Sequence, residues 1–160
     1  MAIRTGKQYL EGLRDGREVW LEGERVDDVT THPKLARMAR TLAGVYDLQH
    51  DPALHDEMTF TSPSSGDVVA LSYLLPRSLD DLARQRRAFE IVADSCHGMV
   101  GRTPDAMNTQ ITALRKMAFE FGAKEPWLSE NLIAWHENVR EHDLCLTHAF
   151  GHPQINRSLT

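Results

Sequence analysis

Gly101-Arg102-Thr103-Pro104-Asp105 stands near the middle of the chain, and its reading sets the helical character of what surrounds it. Thr103 carries the hydroxyl of a helix cap. Pro104 suits the first helical position, where its missing N–H costs nothing, and Asp105 puts a negative charge in the first turn. Met107, Ile111, Leu114, Ala118 and Phe121 then recur at helical spacing as far as Gly122, so a helix is expected from Pro104 to Gly122 with that face inward. Arg102 sits at its N-terminal end, among unpaired backbone N–H groups that favour an anion. Its permanently charged planar fork can hold a phenolate, a carboxylate or a phosphate. The plainer reading of the same residues is a surface arginine beside an ordinary capped helix.

Working outward, Ser78 with Asp81 starts another helix, whose apolar stripe is Leu79, Leu82, Phe89, Val92 and Cys96; Gly98 and Gly101 break it. The basic run Arg84-Gln85-Arg86-Arg87 within it reads as a solvated face paired with Asp80 and Asp81. Ser129 caps a last helix through about His142, with Leu132, Trp135 and Val139 inward. Toward the N-terminus, Thr5 and Gln8 form a capping box for a helix ending at Gly16. Residues 18–21 and 25–29 flank Gly23 as a small hairpin. Pro33 opens a helix that buries Leu35, Met38, Ala39, Leu42 and Tyr46. Residues 51–66 read as loop, and Val68 to Leu75 as an extended or buried stretch. Four or five helices with one hairpin make a mainly α protein. From Cys145 the pattern changes, so residues 1–143 are expected to form a helical domain and 144–160 the start of something else.

Composition narrows the function. At 160 residues the chain fits one domain with a real core. A net charge of −5 argues against a nucleic-acid partner, whose phosphates need a basic surface. No apolar run approaches membrane-spanning length, and no signal-peptide pattern opens the chain. Two cysteines, Cys96 and Cys145, give no disulfide framework, so the cytoplasm is the expected compartment. Cys145, His148 and His152 have zinc-ligand types, yet no second cysteine pair completes them, and His136 and His142 are off one helix face; no metal site is expected. Cys96 reads as core rather than nucleophile, and Trp20, Trp127 and Trp135 as packing groups.

Several stretches together resemble one family. Arg4-Thr5-Gly6-Lys7-Gln8-Tyr9-Leu10, residues 15–20, 23–26 and 28–33, and Tyr46-Asp47-Leu48 look like the N-terminus of the large components of 4-hydroxyphenylacetate 3-monooxygenases. Gly101 to Asp105, His148-Ala149, Pro153 and Asn156-Arg157 continue the match. The resemblance implies an acyl-CoA-dehydrogenase-like fold, whose helical N-terminal domain is followed by a middle β domain and a helical bundle. Residues 144–160 would be the start of a truncated middle β domain. It implies a two-component phenol hydroxylase: a separate flavin reductase supplies reduced FAD, and with oxygen the ring is hydroxylated ortho to the phenol. The whole protein would be a homo-oligomer, and this piece alone would be inactive.

By the same resemblance, Arg102 and His148 match the catalytic residues that contact the phenol oxygen. His148, Ala149, Phe150, Gly151, Gln154, Ile155, Asn156 and Arg157 match segments that touch FAD. Ala106 falls at a substrate-binding position, where enzymes acting on 4-hydroxyphenylacetate carry tyrosine. A related branch acting on halogenated phenols also lacks that tyrosine, so the substrate stays open. Two alternatives remain. One is a flavoprotein resembling 4-hydroxybutyryl-CoA dehydratase, which needs a cysteine pair before Gly101 for its iron–sulfur cluster where Cys96 stands alone. The other is a non-catalytic helical binding or assembly module.

Overall fold

Local hydrogen bonding decides where the first helix starts in the computed structural model, which describes residues 3–99 and 101–147. In α1 (Gly6–Gly12) the Thr5 hydroxyl accepts from the Gln8 amide at 3.2 Å, and the Gln8 side chain accepts from the Thr5 amide at 2.8 Å. The helix stops short of Gly16, which takes a left-handed φ of 80° in the turn beyond. β1 (Val19–Leu21) and β2 (Glu24–Val26) pair antiparallel, Val19 opposite Val26. Glu22 and Gly23 both have positive φ, the geometry that matches a two-residue turn to strand twist.

α2 (Ala36–Leu48) buries Ala36, Ala39, Ala43, Val45 and Tyr46. Leu35, Met38 and Leu42 of the expected stripe are only half-buried. Tyr9 stacks on Tyr46 with ring centroids 5.0 Å apart, which fastens α1 to α2. The stretch expected as loop holds α3 (His55–Met58) and β3 (Thr59–Thr61), which pairs with β4 (Val68–Ala70). Elements of three or four residues are too short to show a period. A buried 3-10 turn, Leu71–Tyr73, follows β4.

α4 (Leu79–Ser95) starts at the expected Ser78–Asp81 box. It packs Ala88, Ile91 and Val92 on Val45, Met58, Leu71 and Cys96. Leu79, at 85 % exposure, and Leu82 lie outside this core, which corrects the stripe. The basic run also differs from expectation. Arg86 pairs with Glu90 at 3.0 Å and Arg87 with Glu57 at 2.6 Å, while Gln85 is buried and donates to the Leu74 carbonyl at 2.8 Å. Asp81 is occupied by capping and accepts from the Arg77 and Ser78 amides.

The expected helix from Pro104 to Gly122 is divided at Met117 into α5 (Pro104–Lys116) and α6 (Ala118–Gly122), because Met117 leaves helical geometry with a ψ of 12°. α7 (Pro126–Glu141) starts at its proline, not after Ser129. Ser129 faces Gly122 so closely that a Cβ there would sit 2.6 Å from its own. α5 turns polar groups inward. Asn108 and Thr112 are buried, while Leu114 and Phe121 are exposed. Asn108 donates to the Ser72 hydroxyl at 3.0 Å, and the Thr112 hydroxyl to the Asn108 carbonyl at 2.7 Å. Opposite them α7 buries His136, Val139 and Arg140. The three tryptophans are exposed rather than packed, and Leu132 is half-buried.

His136 is fully buried, with Nε2 3.2 Å from the Tyr73 carbonyl, which fixes the neutral tautomer carrying its proton there. Burial, reinforced by Arg140, pushes its pKa from 6.5 down to about 4. A base whose folded pKa is depressed contributes stability that is present above the unfolded value and lost as pH falls. Stability is therefore expected to fall by roughly 3 kcal/mol between about pH 6.5 and pH 4 on this account. His136→Gln should flatten that part of a urea-unfolding series measured against pH.

Two glycine substitutions should move stability in opposite directions. A Cβ on Gly6 would lie 2.6 Å from Asp47 Oδ2 and closer still to the Ala43 carbonyl oxygen, so Gly6→Ala should cost about 1–3 kcal/mol. Gly44, inside α2, has open space there and an ordinary φ, so Gly44→Ala should add about 0.5–1 kcal/mol. Denaturant midpoints of both variants check the pair.

Candidate functional site

The start of α5 is built by its backbone rather than by its threonine. Gly101 takes a φ of 77°. Thr103 is extended and buried, but its hydroxyl makes no capping bond, which corrects the expected cap. Pro104 opens the helix as expected. Asp105 is half-buried, and burial raises its carboxyl above the ordinary range. Arg102 is exposed. Among the described residues it forms no ion pair and no hydrogen bond.

Arg102 lines an open cleft with an empty volume of about 650 Å³, solvent mouth included. Met38 and Leu42 of α2, Met107 of α5 and Leu146 give it apolar walls, and Thr147 closes the described part. Arg102 is the one charged side chain among these described lining residues. One cation over apolar walls suits an aromatic anion: the fork takes the oxygen and the walls take the ring.

The segment leading from α7 to the cleft is tightly held. Asp143 takes a left-handed φ of 45°, and the Leu144 amide reaches back to the Val139 carbonyl at 3.1 Å, closing the helix end. The Tyr73 hydroxyl donates to the Leu144 carbonyl at 3.1 Å, and Leu144 and Leu146 pack against Tyr73 and Val139. Asp143 itself accepts from the Arg4 amide at 3.0 Å and from the Gln49 side chain at 3.1 Å. Burial raises its carboxyl, and these two bonds oppose that shift. Reading the sequence for chemistry missed this anchor, because Arg4 and Asp143 are 139 residues apart with no local pattern joining them.

Of the expected site residues, Arg102 lines the cleft. Ala106 sits half-buried in the first turn of α5 and is not among the described lining residues. His148, Ala149, Phe150, Gly151, Gln154, Ile155, Asn156 and Arg157 lie outside the described residues; Thr147, the neighbour of His148, lines the cleft. Cys96 is buried in the α4 core. His136 bonds the Tyr73 carbonyl, while exposed His142 lies on the Asn138 carbonyl, so the two histidines serve separate places. Among the described residues no helix is long and apolar enough to cross a membrane.

The family described as 4-hydroxyphenylacetate 3-hydroxylase N terminal matches residues 5–160. The 4-hydroxyphenylacetate 3-monooxygenase oxygenase component of Geobacillus sp. is 36% identical over 99% of this chain and 32% of its own length. A crystal structure of the oxygenase component of 4-hydroxyphenylacetate 3-monooxygenase, complexed with FAD and 4-hydroxyphenylacetate, matches with a TM-score of 0.85 at 38% identity. That match covers 97% of this chain and 32% of the other. An archaeal 4-hydroxybutyryl-CoA dehydratase from N. maritimus shares the fold, with a TM-score of 0.80 at 23% identity over 98% of this chain and 31% of its own. The chain spans about a third of the length of the curated relatives it matches. Its helices and N-terminal hairpin form the acyl-CoA-dehydrogenase-like N-terminal region, and the chain belongs to the 4-hydroxyphenylacetate 3-hydroxylase family.

Proposed function

We propose that this chain supplies the phenol-binding wall of an FAD-dependent aromatic monooxygenase, in which Arg102 holds the phenol oxygen and His148 takes its proton. The observation that carries the reading is the placement of Arg102. It has no acidic partner among the described residues, and it lines a cleft walled in part by Met38, Leu42, Met107 and Leu146, together with the residue preceding His148. A fixed cation favours the ionised phenol, whose ring is the better nucleophile at the ortho carbon, and a neutral imidazole is suited to accept the proton. Reduced FAD, delivered by a reductase, supplies with oxygen the atom transferred to the ring.

The remaining assignments follow from the same reading. His148, Ala149, Phe150 and Gly151, with Gln154, Ile155, Asn156 and Arg157, are given to the flavin. The amide and cationic donors in that set suit ring carbonyls and phosphates. Ala106 brings no hydroxyl, so recognition of the phenol falls to Arg102 and His148. Residues 144–160 begin a middle β domain. The whole protein works in the cytoplasm as a homo-oligomer with a flavin reductase as partner.

The test uses 4-nitrophenol, whose phenolate absorbs in the visible. Titrated into the 160-residue chain, it should bind as the phenolate. Arg102→Ala should weaken binding about tenfold to a hundredfold, the worth of a charge-assisted hydrogen bond. Arg102→Lys should recover little, because a point charge does not reproduce the fork. A titration of Arg102→Ala that superposes on the wild type would remove Arg102 from the phenol site.

A further inference from the structure

A second cavity lies behind the start of α5 and shares no lining residue with the Arg102 cleft. Its empty volume is about 400 Å³, of which only about 30 Å³ can seat the centre of a water molecule. Most of its wall is apolar, from Val45, Met58, Ala88 and Val92. Into that wall are set Gln49 of α2, Asp105 and Asn108 of α5, and Asp143.

Three of these side chains leave an oxygen without a partner. Asn108 is 2 % exposed; its Nδ2 donates to the Ser72 hydroxyl and leaves Oδ1 unpartnered. Gln49 is 4 % exposed; its Nε2 donates to Asp143 Oδ2 and leaves Oε1 unpartnered. Asp105 Oδ1 is shielded from solvent and likewise unpartnered among the described residues. Buried polar atoms in native proteins are paired, with ordered water where no protein group reaches them. The space open to water centres is enough to admit a water molecule.

Donors and acceptors must also balance. A water offers two protons and two lone pairs. Two amide oxygens consume both protons. The third oxygen can join only by donating, so its carboxyl must carry a proton. The charges facing the cavity agree. Asp143 presents a second carboxyl and Tyr46 of α2 a neutral phenol. α4, β4 and the 3-10 turn bring no charged group, and no lysine or arginine lines the cavity. The Thr103 hydroxyl and the backbone amides of Asp105 and Ala106 act the other way, and the loss of solvent outweighs them.

We infer that this cavity holds one resident water, which donates to Gln49 Oε1 and Asn108 Oδ1 and accepts from the protonated carboxyl of Asp105. The water joins α2 to the first turn of α5. Asp105 is thereby a positioning residue for the backbone that carries Arg102, three residues earlier.

NMR on the labelled 160-residue chain tests this directly. Water cross-peaks of a long-lived bound molecule should appear at the side-chain amide protons of Gln49 and Asn108. The Asp105 carboxyl carbon should titrate above the ordinary carboxylate range. Absent cross-peaks, or a carboxyl titrating in or below that range, would overturn the inference. So would crystals soaked in rubidium chloride that show the heavier cation among the three oxygens. Asp105→Asn keeps a neutral donor of the same shape, and near neutral pH its Tm should stay within about 2 °C of the wild type. A larger fall would mean that the charged carboxylate is the stabilising form, and would sink the proposal. The spectra of the wild type stand whether or not the variant folds.

Discussion

The clasp between Arg4 and Asp143 holds the two ends of the described chain together, and the cleft depends on it. The Arg4 amide donates to the Asp143 carboxyl at 3.0 Å, and its guanidinium donates to the Asp143 carbonyl at 2.7 Å and to the Tyr46 hydroxyl at 3.0 Å. The same cation lies 4.9 Å from the Tyr46 ring and 5.9 Å from the Tyr9 ring. One side chain thus touches α1, α2 and the end of α7. Asp143 is buried, and a carboxyl taken out of water needs its hydrogen bonds filled. Here Gln49 and the Arg4 amide bond the carboxyl, while the Arg4 fork bonds the Asp143 carbonyl and the Tyr46 hydroxyl. Removing one of these donors would leave a buried acceptor unpaired, which costs more than the bond contributes when intact.

This anchor explains why residues 144–147 lie where they do. Asp143 ends α7 in a left-handed turn, and Tyr73 takes the next carbonyl. The next residues, Cys145 to Thr147, line the cleft with Met38, Leu42 and Arg102. On the other side, α5 meets the 3-10 turn and α7 through Asn108, Thr112, Ser72 and His136 as well as through Ile111, which packs in the cluster of Tyr73 and Val139. A polar seam is directional. Each bond fixes the rotation of α5 about its axis, which apolar packing alone specifies less sharply.

That seam also marks the limit of what the sequence discloses. Caps made within a few residues were legible: Thr5 with Gln8, Ser78 with Asp81, and the left-handed turn at Gly23 all formed. The mainly helical fold followed from them. The buried face of this helical stretch was legible only in part. Of the apolar stripe, Ala118 is buried and Ile111 packs on the core, while Leu114 and Phe121 are exposed and Asn108 and Thr112 are inside. A polar residue declares its burial only through a partner, and Ser72 and His136 are 36 and 24 residues away. Arg102 was legible as a helix-start cation. The residues that shape its cleft were not, since Met38, Leu42 and Leu146 come from segments with no sequence relation to it.

Arg102 and Asp105 show why local reading of charge is insufficient. Three residues apart at a helix start, they read as a cation beside the acid that complements the helix dipole. In the fold they part. Asp105 lines one cavity with Gln49 and Asn108, and Arg102 lines the other, the cleft. Had Asp105 turned outward, it would lie within a few ångströms of the guanidinium and offset its charge, and an anion from solution would have to displace it. Burying the acid leaves the cation uncompensated by its nearest neighbour in sequence. The same rotation of α5 that brings Asn108 to Ser72 carries Asp105 inward. The polar seam and the separation of Arg102 from Asp105 are therefore two results of one helix orientation.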